Sequence, residues 1–563
     1  MKKFILLSTL SIFFLQCKTQ DFSKKNETNV AAKDSIIQNS LVHQPKLVVG
    51  VVVDQMRYDY LTRFWNHFGE EGFKKLVNEG FTCKNNHYNY IPTYTAPGHA
   101  SIYTGTSPKN HGIISNSWYD KTSKKYVYCT DDEQQTSIGT LDAAGLMSPL
   151  RLQVTTITDQ NRIHTQFKGK TIGIALKDRS SILPAGHTAN AAYWFHGKEE
   201  GNFITSSFYR NDLPQWVKDF NASNTVQSYL KPWNTLKPID TYIESGPDDT
   251  DFEHVFEGKE RPTFPYDLET LSKENDGFDI LKTTPYGNNI TTDFAIAAID
   301  GEDLGKDNTT DFLALSYSSP DYIGHSFGVN SKEIQDNYIR LDQDIARLIK
   351  NLDEKVGTGN YTLFLTADHG AVHVPNYLKS KKIPAGYVSS RTMRKKIKQF
   401  LGEEYGNLDL LDHISNNQIF FSKENLKKKN IKASDLANEL KSFLIAQPHI
   451  YKTYTRNEIG AMSSNDRIMS FVENGFHQQR SGDVVYLYEP GYISYPEMGS
   501  THGSPFTYDT HVPLIFYGNG IQKGQTFAKT QIIDIAPTLS ALLGIAFPSA
   551  ITGNVLQEVI EKK

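Results

Sequence analysis

The stretch Lys46–Val53, KLVVGVVV, is an almost unbroken apolar run that stops at Asp54. A strand with no polar face is covered on both sides, as in a parallel sheet packed between helices. The same grammar recurs at Lys170–Leu176 (KTIGIAL, before Lys177-Asp178-Arg179), Asp311–Tyr317 (DFLALSY, before Pro320 and Asp321), Tyr361–Thr366 (YTLFLT, before Asp368-His369) and His511–Tyr517 (HVPLIFY). Between two of these, Ile334, Tyr338, Leu341, Ile345 and Leu348 repeat at helical spacing, with Asn330 or Ser331 able to cap the helix. Gly72–Asn78 carries a shorter helical pattern. Strands alternating with helices predict an α/β fold with a doubly wound, mostly parallel central sheet and helices on both faces. Such sheets place their ligands at the carboxyl ends of the strands, which is where these acids stand.

Two regions break the rhythm. Residues 184–291 are rich in aromatic residues, Pro and Gly and hold a hairpin pattern over Ala191–Ser207. Residues 377–497 include the lysine-rich stretch Lys423–Lys432, read as a solvated helical face. Both are expected to be insertions forming a cap beside the sheet's carboxyl edge. A net charge of −4 offers no general basic surface, so nucleic acid is not an expected partner. None of the 3 cysteines lies in a CxxC pair, which argues against thiolate zinc sites.

At the N-terminus, Lys2 and Lys3 precede an apolar run over Phe4–Leu15, too short to span a bilayer comfortably and built like a secretory signal. Cys17 follows and resembles a bacterial lipoprotein acylation site, although Gln16 is bulkier than the small residue usual there. Residues 1–17 therefore read as an export signal with a lipid-anchor site, and 18–45 as a polar tether. The expected product is exported, periplasmic or membrane-anchored at the cell envelope, and monomeric.

The chemistry is carried by a few short stretches. In Tyr90–Gly105, YIPTYTAPGHASIYTG, Thr95 stands just ahead of Ala96-Pro97, where a loop turns into a helix. A helix start attracts anions, because its first N–H groups are unpaired and its dipole is positive there. Around it in the chain lie Asp54, then Asp321 and His325 in DYIGH, Asp368-His369, and His502 in THGSP. Each alone is ordinary: a strand-ending Asp is commonly a turn residue, and a lone His or Thr a packed or capping one. Together, three carboxylates and three imidazoles suit zinc-like ions, which occur in pairs in phosphoryl-transfer sites. Asn116 in HGIISN offers an amide, and Lys177 and Arg179, alternating on an extended chain, would share one face. His99, one turn after Thr95, could brace the site but reads first as core. Asp509 and His511 read as builders of the last strand, and His111 and His187 as structural. Cys83 and Cys129 are either a disulfide closing a loop around Thr95 or two buried thiols.

The ordered series VVVDQM, PTYTAPGHAS, HGIISN, KDRSSILPAGH, SSPDYIGH, TADHG and THGSP resembles the alkaline phosphatase superfamily, and within it the PafA-type alkaline phosphatases. The resemblance runs from about Lys46 to the C-terminus, so that 46–563 is expected to be one catalytic domain with cap insertions. It implies an exported phosphomonoesterase acting on small phosphate monoesters through a phosphothreonine at Thr95. It implies two Zn²⁺: one on Asp54, Asp368 and His369 with Thr95, the other on Asp321, His325 and His502. Asn116, Lys177 and Arg179 match the family's monoester-binding residues. A phosphodiesterase of the same superfamily would keep the metals and the threonine without needing that pair of cations. A sulfatase would need Cys or Ser and an Arg where this chain has Thr95 and His99. An inactive surface-binding lipoprotein would be expected to have lost a ligand.

Overall fold

The computed structural model describes residues 44–406, 408–461 and 466–561. The export signal, Cys17 and nearly all of the 18–45 tether lie outside the described residues. Ten strands make the main sheet: Leu47–Val53 (β1), Phe81–His87 (β2), Ser137–Ile138 (β3), Thr171–Ala175 (β4), Ala191–His196 (β5), Asn202–Ser206 (β6), Asp311–Tyr317 (β7), Tyr361–Thr366 (β8), Leu514–Gly518 (β9) and Gly524–Gln531 (β10). Their order is β10-β2-β9-β8-β1-β7-β4-β5-β6-β3. The centre, β8-β1-β7-β4-β5, is parallel throughout. Antiparallel strands flank it, β9 beside β8 and β6 beside β5. Every residue of β1, β7 and β8 is buried, as their apolar sequences require.

The helices that matter for the site are Thr95–Thr104 (α1), Asp178–Ala185 (α2), Tyr286–Gly301 (α3), Ser319–Phe327 (α4) and Lys332–Leu352 (α5). Side chains alternate across a strand, so Phe312 and Tyr317 of β7 point to opposite faces. Tyr103 of α1 lies over Phe312, with ring centroids 6.1 Å apart. Tyr317 instead meets Thr292 of α3, hydroxyl to hydroxyl at 3.0 Å. The two helices therefore cover opposite faces, as a doubly wound sheet demands. In α5 the Ser331 side chain accepts the Ile334 N–H as the N-cap.

Two sequence expectations change, and an alternative the sequence left open is resolved. The hairpin in 184–291 is present but is not part of a cap: β5 pairs with β4 and extends the central sheet. Its residues are apolar on both faces because sheet and helix cover them. The strand read from His511 is β9 and begins at Leu514, with β10 still to follow, because Thr507–Thr510 is a helical turn and Pro513 lacks a ladder donor. Cys83 and Cys129 are two free, buried thiols; they sit in different apolar clusters, so no disulfide closes around Thr95.

Residues 377–497 hold a second, four-stranded antiparallel sheet ordered Leu411–Ser415, Gln418–Phe421, Val484–Tyr488 and Ile450–Thr455. Helices Ser390–Tyr405 and Ala433–Ile445 give it a core of its own, with Ile397, Leu401, Leu436 and Leu440. Lys423, Lys427, Lys428 and Lys429 are exposed around the buried Leu426, the solvated face expected.

Gly50 is the one glycine of β1, and its place is steric. Tyr103 reaches across it to within 3.5 Å of its carbonyl oxygen. A Cβ there would collide with the Tyr103 hydroxyl and lie 2.6 Å from the Phe364 ring. Gly50→Val is expected to destabilise the fold by about 1–3 kcal/mol, the usual cost of overpacking a dense core, read as a lowered urea midpoint; an unchanged midpoint would show that α1 can shift.

Candidate active site

Because β1, β4, β7 and β8 run parallel, the residues that follow them share one edge of the sheet. Asp54, Lys177, Asp321 and Asp368 follow those strands and are all buried. The Lys177 ammonium donates to Asp54 Oδ2 at 2.6 Å and to Asp321 Oδ2 at 2.5 Å. Burial disfavours its charge, but Asp321 and Asp54 outweigh that and raise its pKa, so it stays an ammonium. Burial and the charge of Asp368 push Asp54 well up, with only Lys177 opposing.

Two groups of ligand-type atoms form around these acids. Asp54, Asp368 and His369 bring one oxygen or nitrogen each to within 4.8 Å of one another, and so do Asp321, His325 and His502. All three imidazoles are oriented in the same way. His369 Nδ1–H donates to the Gly370 carbonyl at 3.0 Å, His325 Nδ1–H to Ser500 at 2.7 Å and His502 Nδ1–H to Thr93 at 2.7 Å. A carbonyl can only accept, so Nδ1 carries the proton and Nε2 turns its lone pair inward. Burial lowers the pKa of His369, and burial with the neighbouring His369 lowers that of His502, which keeps both neutral. For His325 burial is outweighed by Asp321, which raises it.

These Nε2 atoms face carboxylate oxygens. His369 Nε2 is 3.5 Å from Asp54 Oδ1 and 3.5 Å from Asp368 Oδ2, and neither oxygen has a hydrogen-bond partner. His325 and His502 Nε2 lie 3.2 and 3.6 Å from Asp321 Oδ1. Acceptors facing acceptors, fixed by backbone carbonyls behind them, are the surroundings of a bound divalent metal. The donor sets fit such ions.

Thr95 is the first residue of α1 and is buried. Its hydroxyl is 3.5 Å from His369 Nε2. Gly98 lets the helix start approach the Asp368 backbone: a Cβ there would come within 2.5 Å of the Asp368 carbonyl oxygen. Asn116 Oδ1 accepts the Ala96 N–H at 2.8 Å, which leaves the amide NH₂ as the free end. Arg179 is not on an extended chain, as alternation with Lys177 suggested, because α2 begins at Asp178. Arg179 Nη1 donates to the Tyr128 hydroxyl at 2.9 Å, and that hydroxyl donates to Asp178 at 2.7 Å. Arg179 Nε is buried with no partner.

Several supporting roles were missed or left open by the sequence. Gln55, at φ 65°, gives its N–H to Asp368 at 3.1 Å and its amide NH₂ to Asp321 at 2.6 Å, joining the two groups. His99, read first as core, bridges Thr95 and Asp368: Nδ1–H donates to the Thr95 carbonyl at 2.9 Å and lies 3.4 Å from Asp368 Oδ2, while Nε2 accepts from Ser316 at 2.9 Å. Asp509 accepts the Ser504 N–H at 2.7 Å and so braces the loop carrying His502, instead of building the last strand. His511 stacks between Tyr58 and His87, at 4.4 and 4.6 Å. His111 meets Ser101 at 2.9 Å and His187 meets Asp159 at 3.1 Å, both structural.

The family model for type I phosphodiesterases and nucleotide pyrophosphatases matches residues 48–511. A protein named calcium-transporting ATPase from Myroides odoratus is 44% identical over 94% of this chain and 97% of its own. Alkaline phosphatase PafA of Elizabethkingia meningoseptica is 43% identical, over 93% of this chain and 96% of that protein. The chain belongs to the phosphodiesterase-type branch of the alkaline phosphatase superfamily. Within the superfamily its fold is that of PafA, whose crystal structure superposes with a TM-score of 0.89, at 43% identity, covering 92% of this chain and 99% of the other.

His99 offers a check on the site's internal support. His99→Leu would remove the side-chain hydrogen bond to the Thr95 carbonyl and leave the buried Ser316 hydroxyl without its acceptor, at a cost of about 1–3 kcal/mol. His99→Asn, whose amide NH₂ can stand near the Nδ1 position, should recover most of it. Equal urea midpoints for His99→Leu and wild type would show that the ring only fills space.

Proposed function

We propose that the protein is an exported alkaline phosphatase that hydrolyses small phosphate monoesters to phosphate and an alcohol through a phosphothreonine at Thr95. The observation that carries the reading is the Thr95 hydroxyl, buried at a helix start and facing His369, a member of one of two Asp/His groups. Asp54, Asp368 and His369, with Thr95, would hold one Zn²⁺, and Asp321, His325 and His502 the other. Bound there, such ions supply a lowered hydroxyl pKa at the nucleophile and charge compensation at the phosphoryl and leaving oxygens. Thr95 Oγ1 forms the bond to phosphorus as the alcohol oxygen leaves, and water then releases phosphate and restores the hydroxyl. The dipole of α1 favours the negative charge that gathers beside Thr95. Asn116, held by its carbonyl, donates NH₂ to one non-bridging oxygen.

Lys177 and Arg179 set the monoester preference. A monoester presents a dianion, a diester a single charge and a second substituent, so two cations favour the monoester transition state. A phosphodiesterase is the second reading, since the matched family model is named for that activity. Lys177→Ala or Arg179→Ala should cost about 2–4 kcal/mol on a phenyl phosphate monoester, roughly 30- to 1000-fold in kcat/KM, and much less on a methyl phenyl diester. Equal losses on both substrates would remove these residues from specificity. Thr95→Ala should lose the labelled phosphoenzyme and most of kcat, with Thr95→Ser retaining part; label trapped on another residue would overturn the role of Thr95. Metal analysis should find two Zn²⁺ per chain, and chelation should abolish activity until Zn²⁺ is returned. Mass spectrometry of protein from the native host should find a lipidated chain beginning at Cys17; an unmodified start between 18 and 46 leaves export standing without the anchor.

A further inference from the structure

Asn116 and Arg179, two of the donors assigned to the phosphoryl group, are tied to one hairpin, Ser117–Asp120 with Lys125–Tyr128. Asn116 is the residue before its first strand, and Tyr128 is the last residue of its second, paired across to Ser117. Cys129 N–H donates to the Asn116 carbonyl at 2.9 Å and closes the open end. One apolar cluster joins Ala96 of α1, Leu183 of α2, Trp118 and Cys129, with Tyr128 packed against it. Region 377–497 also holds the hairpin. Asn416 donates to the Ser117 carbonyl at 2.7 Å, Lys121 donates to that of Ser481 at 2.7 Å, and Tyr119 stacks on His413 at 5.0 Å.

The Tyr128 hydroxyl stands between two charged groups. It accepts from Arg179 Nη1 at 2.9 Å and donates to Asp178 Oδ1 at 2.7 Å, an oxygen that Thr130 also meets at 3.0 Å. Burial, with Arg179 opposing, raises the phenol well above its ordinary pKa, so the hydroxyl keeps its proton. A carboxylate in its place would offset the guanidinium charge before a substrate arrived; a neutral oxygen fixes the geometry and leaves the charge. Among the described residues Arg179 forms no ion pair with a carboxylate, whereas Lys177 meets two. The guanidinium is therefore the less compensated of the two cations assigned to the monoester preference. A long side chain already held at one corner also has less freedom to lose when an oxyanion binds.

We propose that Tyr128 is a positioning residue for phosphate monoesters. Its neutral hydroxyl, aimed by Asp178, holds Arg179 for a dianionic phosphoryl group without neutralising the guanidinium. The hairpin sets that guanidinium at a fixed offset from the Asn116 amide. Tyr128 acts through Arg179 and not on the reacting atoms, and its role rests on the monoesterase reading of Arg179 and Asn116 proposed above.

The test is kcat/KM of the full, zinc-loaded chain on phenyl phosphate and on methyl phenyl phosphate, for wild type, Tyr128→Phe, Arg179→Ala and the double variant. Tyr128→Phe keeps the ring in its cluster and removes only the hydroxyl. It should lose roughly 10- to 100-fold on the monoester, the size of a lost hydrogen bond to a charged group, and less than Arg179→Ala loses. On the diester it should stay within about threefold of wild type, because that substrate carries one charge fewer. In the Arg179→Ala background the same change should cost no more than about twofold, as for two residues acting through one contact. The Ki of inorganic phosphate should rise in Tyr128→Phe alongside the monoester loss. A wild-type monoester rate in Tyr128→Phe, with Arg179→Ala impaired, would overturn the role of Tyr128 alone. Equal losses on both substrates, or an undiminished loss in the Arg179→Ala background, would overturn it too and make the hydroxyl a structural group. A wild-type monoester rate in Arg179→Ala would overturn the monoester reading of that residue and the role of Tyr128 with it. If Tyr128→Phe does not fold, Asp178→Ala, which removes the carboxylate that aims the hydroxyl, goes through the same cycle with the same expectations.

Discussion

The site depends on a concentration of buried negative charge at the carboxyl edge of the parallel strands. Asp54, Asp321 and Asp368 are brought together with a single buried ammonium, Lys177, which contacts one acid from each Asp/His group. Buried carboxylates are tolerated only where charge and hydrogen bonds compensate them, and the surroundings are built for that. Gln55 spans the two groups, His99 ties Asp368 to the helix of Thr95, and backbone carbonyls hold the three imidazoles with their lone pairs inward. The fold thus has to keep mutually repelling acids near one another, which favours anchoring them on a sheet whose central strands are wholly buried.

The hydrogen bonds behind the site come from distant parts of the chain. His502 is oriented by Thr93, next to the helix that begins at Thr95, and His325 by Ser500, two residues from His502. The loop before β9 is therefore held at both ends by residues it serves, and Asp509 closes it from within. A rigid set of this kind has little reorganisation left to do when charge develops on a substrate.

The second sheet, within 377–497, has its own apolar core, while the hairpin in 184–291 is part of the main sheet. Insertions of these two kinds answer different physical needs. One widens the central sheet; the other packs a separate small core and reaches the site's surroundings through Asn416, which donates to the Ser117 carbonyl at 2.7 Å.

The amino-acid sequence by itself determined the parallel core and the positions of the acids, because a wholly apolar run ending in Asp has few alternatives to a buried strand with a charge at its carboxyl end. It also marked Thr95, through a proline that only a first helical turn accommodates. It could not show that Arg179 lies on a helix, since KDR is compatible with either a strand end or a helix start until α2 packs. Nor could it show that Gln55, His99, Asp509 and Tyr128 support the site, or that Cys83 and Cys129 stay apart. Those outcomes rest on partners as distant in sequence as Gln55 and Asp368, or on which cluster a side chain joins. Local pattern records what a residue does to its own segment; only the packed sheet decides which distant groups must share a proton, a charge or a cavity.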